Sequence, residues 1–262
     1  MARFFDTHCH LQDPRFGDDL DAVLSRAHQG GVTHMVCCGT QEGDWDAVLE
    51  LARRYDGILP MLGLHPWFAH EASPGWLERL KDLARNERIG IGECGLDFAI
   101  ENPDRELQES AFRDQLRLAR ETDRPLSIHC RRAWERLAAL AREEGLPKVG
   151  AVVHAFSGSA EVARELQTLG FHLSFSCSLA NPGNSRGAKA ATAVDKERIL
   201  FETDAPDIPP RYLPGFEAGV LNEPANIHLV AEAAARLRGS DLESTAAQAY
   251  KNSERIFEGL RP

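Results

Sequence analysis

Two histidines one residue apart, His8 and His10, stand in the run Phe4-Phe5-Asp6-Thr7-His8-Cys9-His10 near the start of the chain. Phe4 and Phe5 favour an extended backbone. Because side chains alternate between the faces of a strand, Asp6, His8 and His10 are expected to point the same way. Paired neutral imidazoles bind divalent metals such as Zn, Mn, Fe or Ni. His-x-His is short enough to arise by chance, so its meaning depends on the rest of the chain. Four more residues of metal-binding type, Glu93, His129, His154 and Asp204, each end or directly follow a short β-rich run, at 89–93, 125–129, 149–154 and 199–203.

Those runs belong to a longer alternation. Extended segments at 32–38, 58–64 and 171–176 bring the predicted strands to eight. Amphipathic segments separate them at 18–29, 44–55, 75–86, 105–121, 133–144 and 159–169, with 181–195 partly helical and helices at 224–238 and 242–257 closing the chain. In 105–121, for example, Phe112, Leu116 and Ala119 recur at the helical interval. Strands nearly all followed by a helix, with connections too short for a linker domain, predict a closed TIM (β/α)8 barrel forming one domain over 1–262. A doubly wound open sheet is the alternative, but no Gly-x-Gly-x-x-Gly or Walker loop follows any strand. In a closed barrel all six candidate ligands fall on one rim, at the carboxyl ends of the strands, where barrel enzymes keep their chemistry. Four histidines and two carboxylates in step with the strands predict a metal centre, most simply a binuclear one. The other histidines, at 28, 34, 70, 172 and 228, are read as structural or solvated.

Composition narrows the function classes. A chain of 262 residues with 43% apolar and 27% charged residues is that of a soluble globular protein. No apolar run approaches the roughly 20 residues of a membrane span, and no signal peptide precedes the first strand, so no membrane association and a cytoplasmic location are expected. The six cysteines form no Cys-x-x-Cys pair and are read as reduced thiols. Cys9, Cys94 and Cys130 each adjoin a candidate ligand and should face away from it, packed under helices. The net charge of −10 argues against a broad nucleic-acid-coating surface, though not against an enzyme that grips only an end. No obligate protein partner is evident.

Six motifs then stand in order: Asp6-Thr7-His8-Cys9-His10-Leu11, Gly63-Leu64-His65-Pro66-Trp67, Gly92-Glu93-Cys94-Gly95-Leu96-Asp97-Phe98, Ile128-His129-Cys130-Arg131, His154-Ala155-Phe156-Ser157-Gly158-Ser159 and Glu202-Thr203-Asp204-Ala205-Pro206. Together they resemble the TatD family of metal-dependent hydrolases, within the amidohydrolase superfamily. Asn222-Glu223-Pro224 and Asn252-x-x-Arg255-x-Phe257 are similar to it as well. The resemblance implies a TIM barrel, two divalent metal ions (Mg, Mn or Zn) and phosphodiester hydrolysis, with DNA as substrate. It implies one metal on His8, His10 and Asp204, the other on His129 and His154, and Glu93 bridging. A carboxylate can span two ions about 3.5–4 Å apart, and such a pair lowers the pKa of bound water to about 7. Asp204 would orient this water and act as general base. The chain departs from the family at Ala155, where a cysteine is usual, and at Asp207, where a larger residue is common. The long Pro-rich segment 204–222, expected to wall one side of the mouth, is not closely matched.

Other residues near the predicted rim carry open alternatives. Arg131, two beyond His129, could pair with a phosphate or simply lie exposed at a helix start. His65 could hydrogen-bond substrate or pack against Pro66. Ser157 could contact phosphate, or either it or Ser159 could cap the next helix. Glu202 could support a ligand histidine. Trp67, Trp134 and Tyr212 could stack on a base or pack inside. The same metals would equally hydrolyse a carboxyl ester or amide, as in an aminoacyl-tRNA deacylase or lactonase. Arg131 as a cationic clamp favours a phosphodiester, hence a deoxyribonuclease acting at a DNA end. A non-catalytic metal-stabilised binding protein would lack a ligand or the base, and none of the six is missing.

Overall fold

The computed structural model describes residues 2–261. Its eight strands are β1 (Phe4–Cys9), β2 (Val32–Cys38), β3 (Ile58–Leu62), β4 (Gly90–Asp97), β5 (Leu126–Arg131), β6 (Ala151–Val153), β7 (Phe171–Phe175) and β8 (Ile199–Phe201). They lie in one sheet in chain order, each parallel to the next. Helices α1 (Leu20–Gln29), α2 (Trp45–Arg54), α3 (Trp76–Asn86), α4 (Arg105–Thr122), α5 (Trp134–Glu144), α6 (Ala160–Thr168) and α7 (Ser185–Ala193) follow the first seven strands in turn. Two more, α8 (Ile227–Arg238) and α9 (Leu242–Phe257), follow β8. This is the TIM barrel that the alternation predicts.

Burial divides the barrel into a dry floor and a polar mouth. Phe5, Val36, Leu59, Met61, Val152 and Leu200 cluster with Tyr250, Ile256, Phe257 and Leu260, so the end of the chain plugs one end of the barrel. The larger cluster packs other strand residues, Cys9, Cys94 and Cys130 among them, against apolar helix faces such as that of Phe112, Leu116 and Ala119. All six thiols are free and buried. No helix among the described residues is long and apolar enough to cross a membrane.

Two local expectations are corrected. Glu93 does not end its strand: β4 runs on to Asp97, which pairs with Arg131 of β5. Gly95 permits this, since its φ of +136° suits glycine alone and an added Cβ would collide with the His129 carbonyl. Asp6 does not share the face of His8 and His10. The β1–β2 register shifts between Asp6 and Cys9, which breaks the alternation. Its carboxylate instead accepts hydrogen bonds from the Thr203 N–H at 2.9 Å, the Thr203 hydroxyl and the His8 N–H. Of the two serines open as the cap of α6, Ser159 takes the role by accepting from the Val162 N–H, while Ser157 stays exposed.

Asp6 lies at a seam. Among the described residues no ladder joins β8 to β1, and closure comes from residues just beyond β8. The Asp204 N–H donates to the His8 carbonyl at 2.9 Å and the His10 N–H to the Ala205 carbonyl at 2.7 Å.

Away from the mouth, His172 of β7 is buried with Nδ1 unpartnered. Burial, helped by Arg198 and Arg255, pushes its pKa down to about 4. Between that value and the unfolded value near 6.5, the unfolded chain binds the extra proton, so stability is lost as pH falls through this window. The whole effect is about 3 kcal/mol at most. His172→Gln is expected to lose this component, giving a melting temperature that falls less than the wild type's between pH 7 and 4.

Candidate metal centre

Glu93 sits nearly buried at the mouth of the barrel with imidazoles around both carboxylate oxygens. Oε1 faces His154 Nε2 at 2.8 Å, His129 Nδ1 at 3.2 Å and His65 Nε2 at 3.3 Å. Oε2 faces His8 Nε2 at 3.3 Å and His10 Nε2 at 3.5 Å. Asp204 adds Oδ1 at 3.5 Å from His10 and 3.8 Å from His8. Three overlapping sets result, His8/His10/Asp204, His8/Glu93/His154 and His65/Glu93/His129, each with its donor atoms within 4.8 Å of one another.

The outer nitrogen of each ring decides what the inner one can do. His10 Nδ1 lies 2.8 Å from the Cys38 carbonyl, which only accepts, so this nitrogen carries the proton. His129 Nε2 donates likewise to Asp97 at 3.0 Å. His154 Nδ1 faces Glu202 at 3.4 Å, and His8 Nδ1 meets the Ser127 hydroxyl at 3.0 Å. These four rings can therefore turn a lone pair inward. His65 is the reverse, because its Nδ1 accepts the Trp67 N–H at 3.1 Å. Its Nε2 then holds the proton and donates to Glu93, so His65 orients the carboxylate.

Lone pairs and carboxylate oxygens this close repel unless positive charge lies between them, and that is the requirement a divalent cation meets. Without a cation, protons on the imidazoles meet part of that requirement, and they are what a bound cation would displace. Burial alone would raise Glu93, but His154, His65 and His8, with a hydrogen bond from His129, hold it well below the usual carboxylate range. Asp204 is lowered against burial by its hydrogen bond with His10 and by the imidazole charges. Burial would lower His10, yet the Asp204 hydrogen bond and the Glu93 charge lift it to about 9. His129 and His154 also rise against burial, His129 first through its hydrogen bonds to Asp97 and Glu93, His154 first through the Glu93 charge. Burial lowers His65 to about 4, consistent with a neutral donor. The donor set, imidazole nitrogens with carboxylate oxygens, suits Zn or Mn and tolerates Mg.

The backbone is strained where these ligands leave their strands. Asp204 itself has φ +59°, Ala155, directly after His154, has +39°, and Arg132, after Arg131, has +53°. The Ala155 N–H is held by Glu202 Oε1 at 2.6 Å. The Pro-rich segment after Asp204 has neither helix nor strand over 204–222. Asn222, fully buried, pins it by donating to the Thr203 and Ile208 carbonyls. Arg15 ties the segment to the loop after β1, bridging Asp13 and Asp207.

Of the accessory candidates, Arg131 is exposed at the mouth with Nη1 3.9 Å from Asp97 Oδ2. Ser157 is exposed in the loop after β6. Trp134 packs on Phe156, and the Tyr212 hydroxyl donates to the Cys177 carbonyl, which leaves Trp67 as the exposed aromatic of the three. Sequence reasoning gave Asp97 no role, though it stands four residues beyond Glu93 in the same motif. Buried and held down to about 2, chiefly by hydrogen bonds from His129 and Trp67 that overcome burial, it fixes the His129 ring. It also missed Ser127, two residues before His129.

A parallel barrel whose carboxyl-end mouth gathers imidazoles and two carboxylates in this way is that of a metal-dependent hydrolase. Residues 5–258 match the family described as TatD related DNase, and the chain belongs to that family. The chain is 34% identical to the "uncharacterized metal-dependent hydrolase YabD" of Bacillus subtilis, over 97% of this chain and 98% of the relative. It is also 34% identical to the "3'-5' ssDNA/RNA exonuclease TatD" of Klebsiella pneumoniae, over 97% of each. The crystal structure of YjjV, a TatD homologue from Escherichia coli, superposes with a TM-score of 0.92 at 33% identity, covering 98% of both chains.

Asp97→Asn removes the carboxylate that orients His129. Calorimetric titration is expected to show divalent-cation affinity lowered by about 10–100-fold, with the fold retained by circular dichroism.

Proposed function

We propose that this chain is a two-metal phosphodiesterase that trims single-stranded DNA from its 3′ end. The observation that carries this reading is the division of imidazoles between the two oxygens of Glu93, which suits a carboxylate bridging two ions. His8, His10 and Asp204 would hold one ion and His129 and His154 the other. When bound, Mg, Mn or Zn would polarise the phosphate and acidify water, the chemistry that a pair of such ions supplies in phosphoryl displacement.

The remaining work falls to the chain's own groups. Asp204, tethered through its backbone N–H to His8, accepts the proton of the attacking water. Arg131 pairs with a non-bridging phosphate oxygen and offsets charge that develops as the P–O bond breaks. His65 donates to Glu93 and keeps it from rotating away. The 3′-5′ polarity and single-stranded substrate rest on the likeness to the TatD exonuclease of Klebsiella pneumoniae.

The test is purified wild type and Asp204→Asn, each loaded in turn with Mg, Mn and Zn, on a 5′-labelled single-stranded oligonucleotide and on carboxyl esters. Stepwise shortening from the 3′ end by the wild type is expected, slowed at least 100-fold by loss of the base. Ester turnover with the oligonucleotide left intact would instead assign the site to acyl hydrolysis. Glu93→Ala is expected to abolish nearly all hydrolysis and weaken cation binding at both positions; activity near wild type in metal-replete buffer would remove the bridging role.

A further inference from the structure

Trp67 is 46% exposed, the most exposed large apolar side chain among the described residues. It is nevertheless held at three points. Pro66 precedes it at the first position of a short 3₁₀ turn, its backbone N–H donates to His65 Nδ1, and its indole N–H donates to Asp97 Oδ2 at 2.8 Å. An indole kept in water by polar anchors forgoes the burial that large aromatic rings usually find. The place is also specific. Its ring centroid lies 6.0 Å from that of His129, and Asp97 Oδ2, which it touches, lies 3.9 Å from Arg131 Nη1. Beside the proposed metal centre, one carboxylate thus orients a metal-site imidazole and an exposed indole, with an exposed guanidinium close by.

We propose that Trp67 is a substrate-contact residue, a stacking platform for a nucleobase next to the scissile phosphate that Arg131 grips. This rests on the phosphodiesterase reading and assigns recognition of the unpaired end to one side chain. A base and its phosphate are covalently linked, and an aromatic face with a cation beside it is the combination that binds single strands without reading their sequence. Duplex ends keep their bases stacked in the helix and must fray before a base reaches the indole. With a formal net charge of −10 the chain as a whole does not attract a polyanion, which gives a base contact at the mouth more weight in affinity.

The experiment compares wild type, Trp67→Phe and Trp67→Ala on oligonucleotides whose last or penultimate 3′ nucleotide is normal or abasic. Both kcat/KM for shortening and, without turnover in chelator, binding by fluorescence anisotropy are recorded. Phenylalanine keeps a stacking face but cannot donate to Asp97. The expected result is that wild type prefers the base-bearing end by roughly tenfold or more, that Trp67→Phe keeps most of the preference, and that Trp67→Ala loses it. Equal preference in all three proteins would overturn the stacking role and leave the nuclease reading intact. Loss of preference in Trp67→Phe as complete as in Trp67→Ala would also overturn it, by tracing the effect to the Asp97 hydrogen bond. No shortening by wild type with any metal would overturn the nuclease reading, and the anisotropy ratios would still decide the platform.

Discussion

A buried carboxylate cannot stay ionised without compensating charge, and Glu93 is the buried carboxylate on which this structure depends. Its two oxygens face opposite groups of imidazoles, which come from β1 and the residue after it, from β5, and from positions just beyond β3 and β6. Only a closed parallel barrel brings the ends of so many strands to one point. The opposite end is sealed by Phe257, Ile256 and Leu260, so apolar burial stabilises the cylinder where no chemistry occurs. That separation lets the mouth carry strained residues such as Asp204 and Ala155.

Around the imidazoles lies a layer of polar groups, and for His10 and His129 an acceptor-only partner settles which nitrogen faces the centre. The Cys38 carbonyl, Asp97 and Glu202 serve His10, His129 and His154, while the Ser127 hydroxyl serves His8. His65 has an N–H donor in that position and so becomes a donor towards Glu93. One difference of partner separates a side chain that can hold a metal from one that holds the carboxylate. Asp6 works at another level: it links the backbone of His8 to Thr203 across the seam where β8 and β1 are not paired, so the ligands on the two sides keep their spacing.

The mouth is not symmetric. On the side of β3 to β5 an indole and a guanidinium are exposed beside Asp97. On the side of β1 and the segment after β8, Arg15 is held by Asp13 and Asp207 and has little charge left to offer a phosphate. A formal net charge of −10 suits action at an end better than coating of a strand.

The sequence by itself determined the barrel and the six candidate ligands, because both rest on spacing. Strand and helix periodicities are local, and His8, Glu93, His129, His154 and Asp204 are each in step with a strand. The Arg131 position two beyond His129 was legible for the same reason. Regular alternation held for Cys9, Cys94 and Cys130, which pack under the helices, and failed where the backbone departs from it. Asp6 leaves the face of His8 because the register slips there, and Glu93 lies within its strand because Gly95 lets the backbone pass close to His129. The sequence left the cap of α6 open between Ser157 and Ser159, and the structure decides for Ser159, whose hydroxyl reaches the Val162 N–H. The roles of His65 and Asp97 were invisible, since a ring's tautomer and a carboxylate's task depend on hydrogen-bond partners that only tertiary structure assembles. Spacing along a chain fixes which side chains can meet, and the donor or acceptor on the far side of each fixes what they do when they have met.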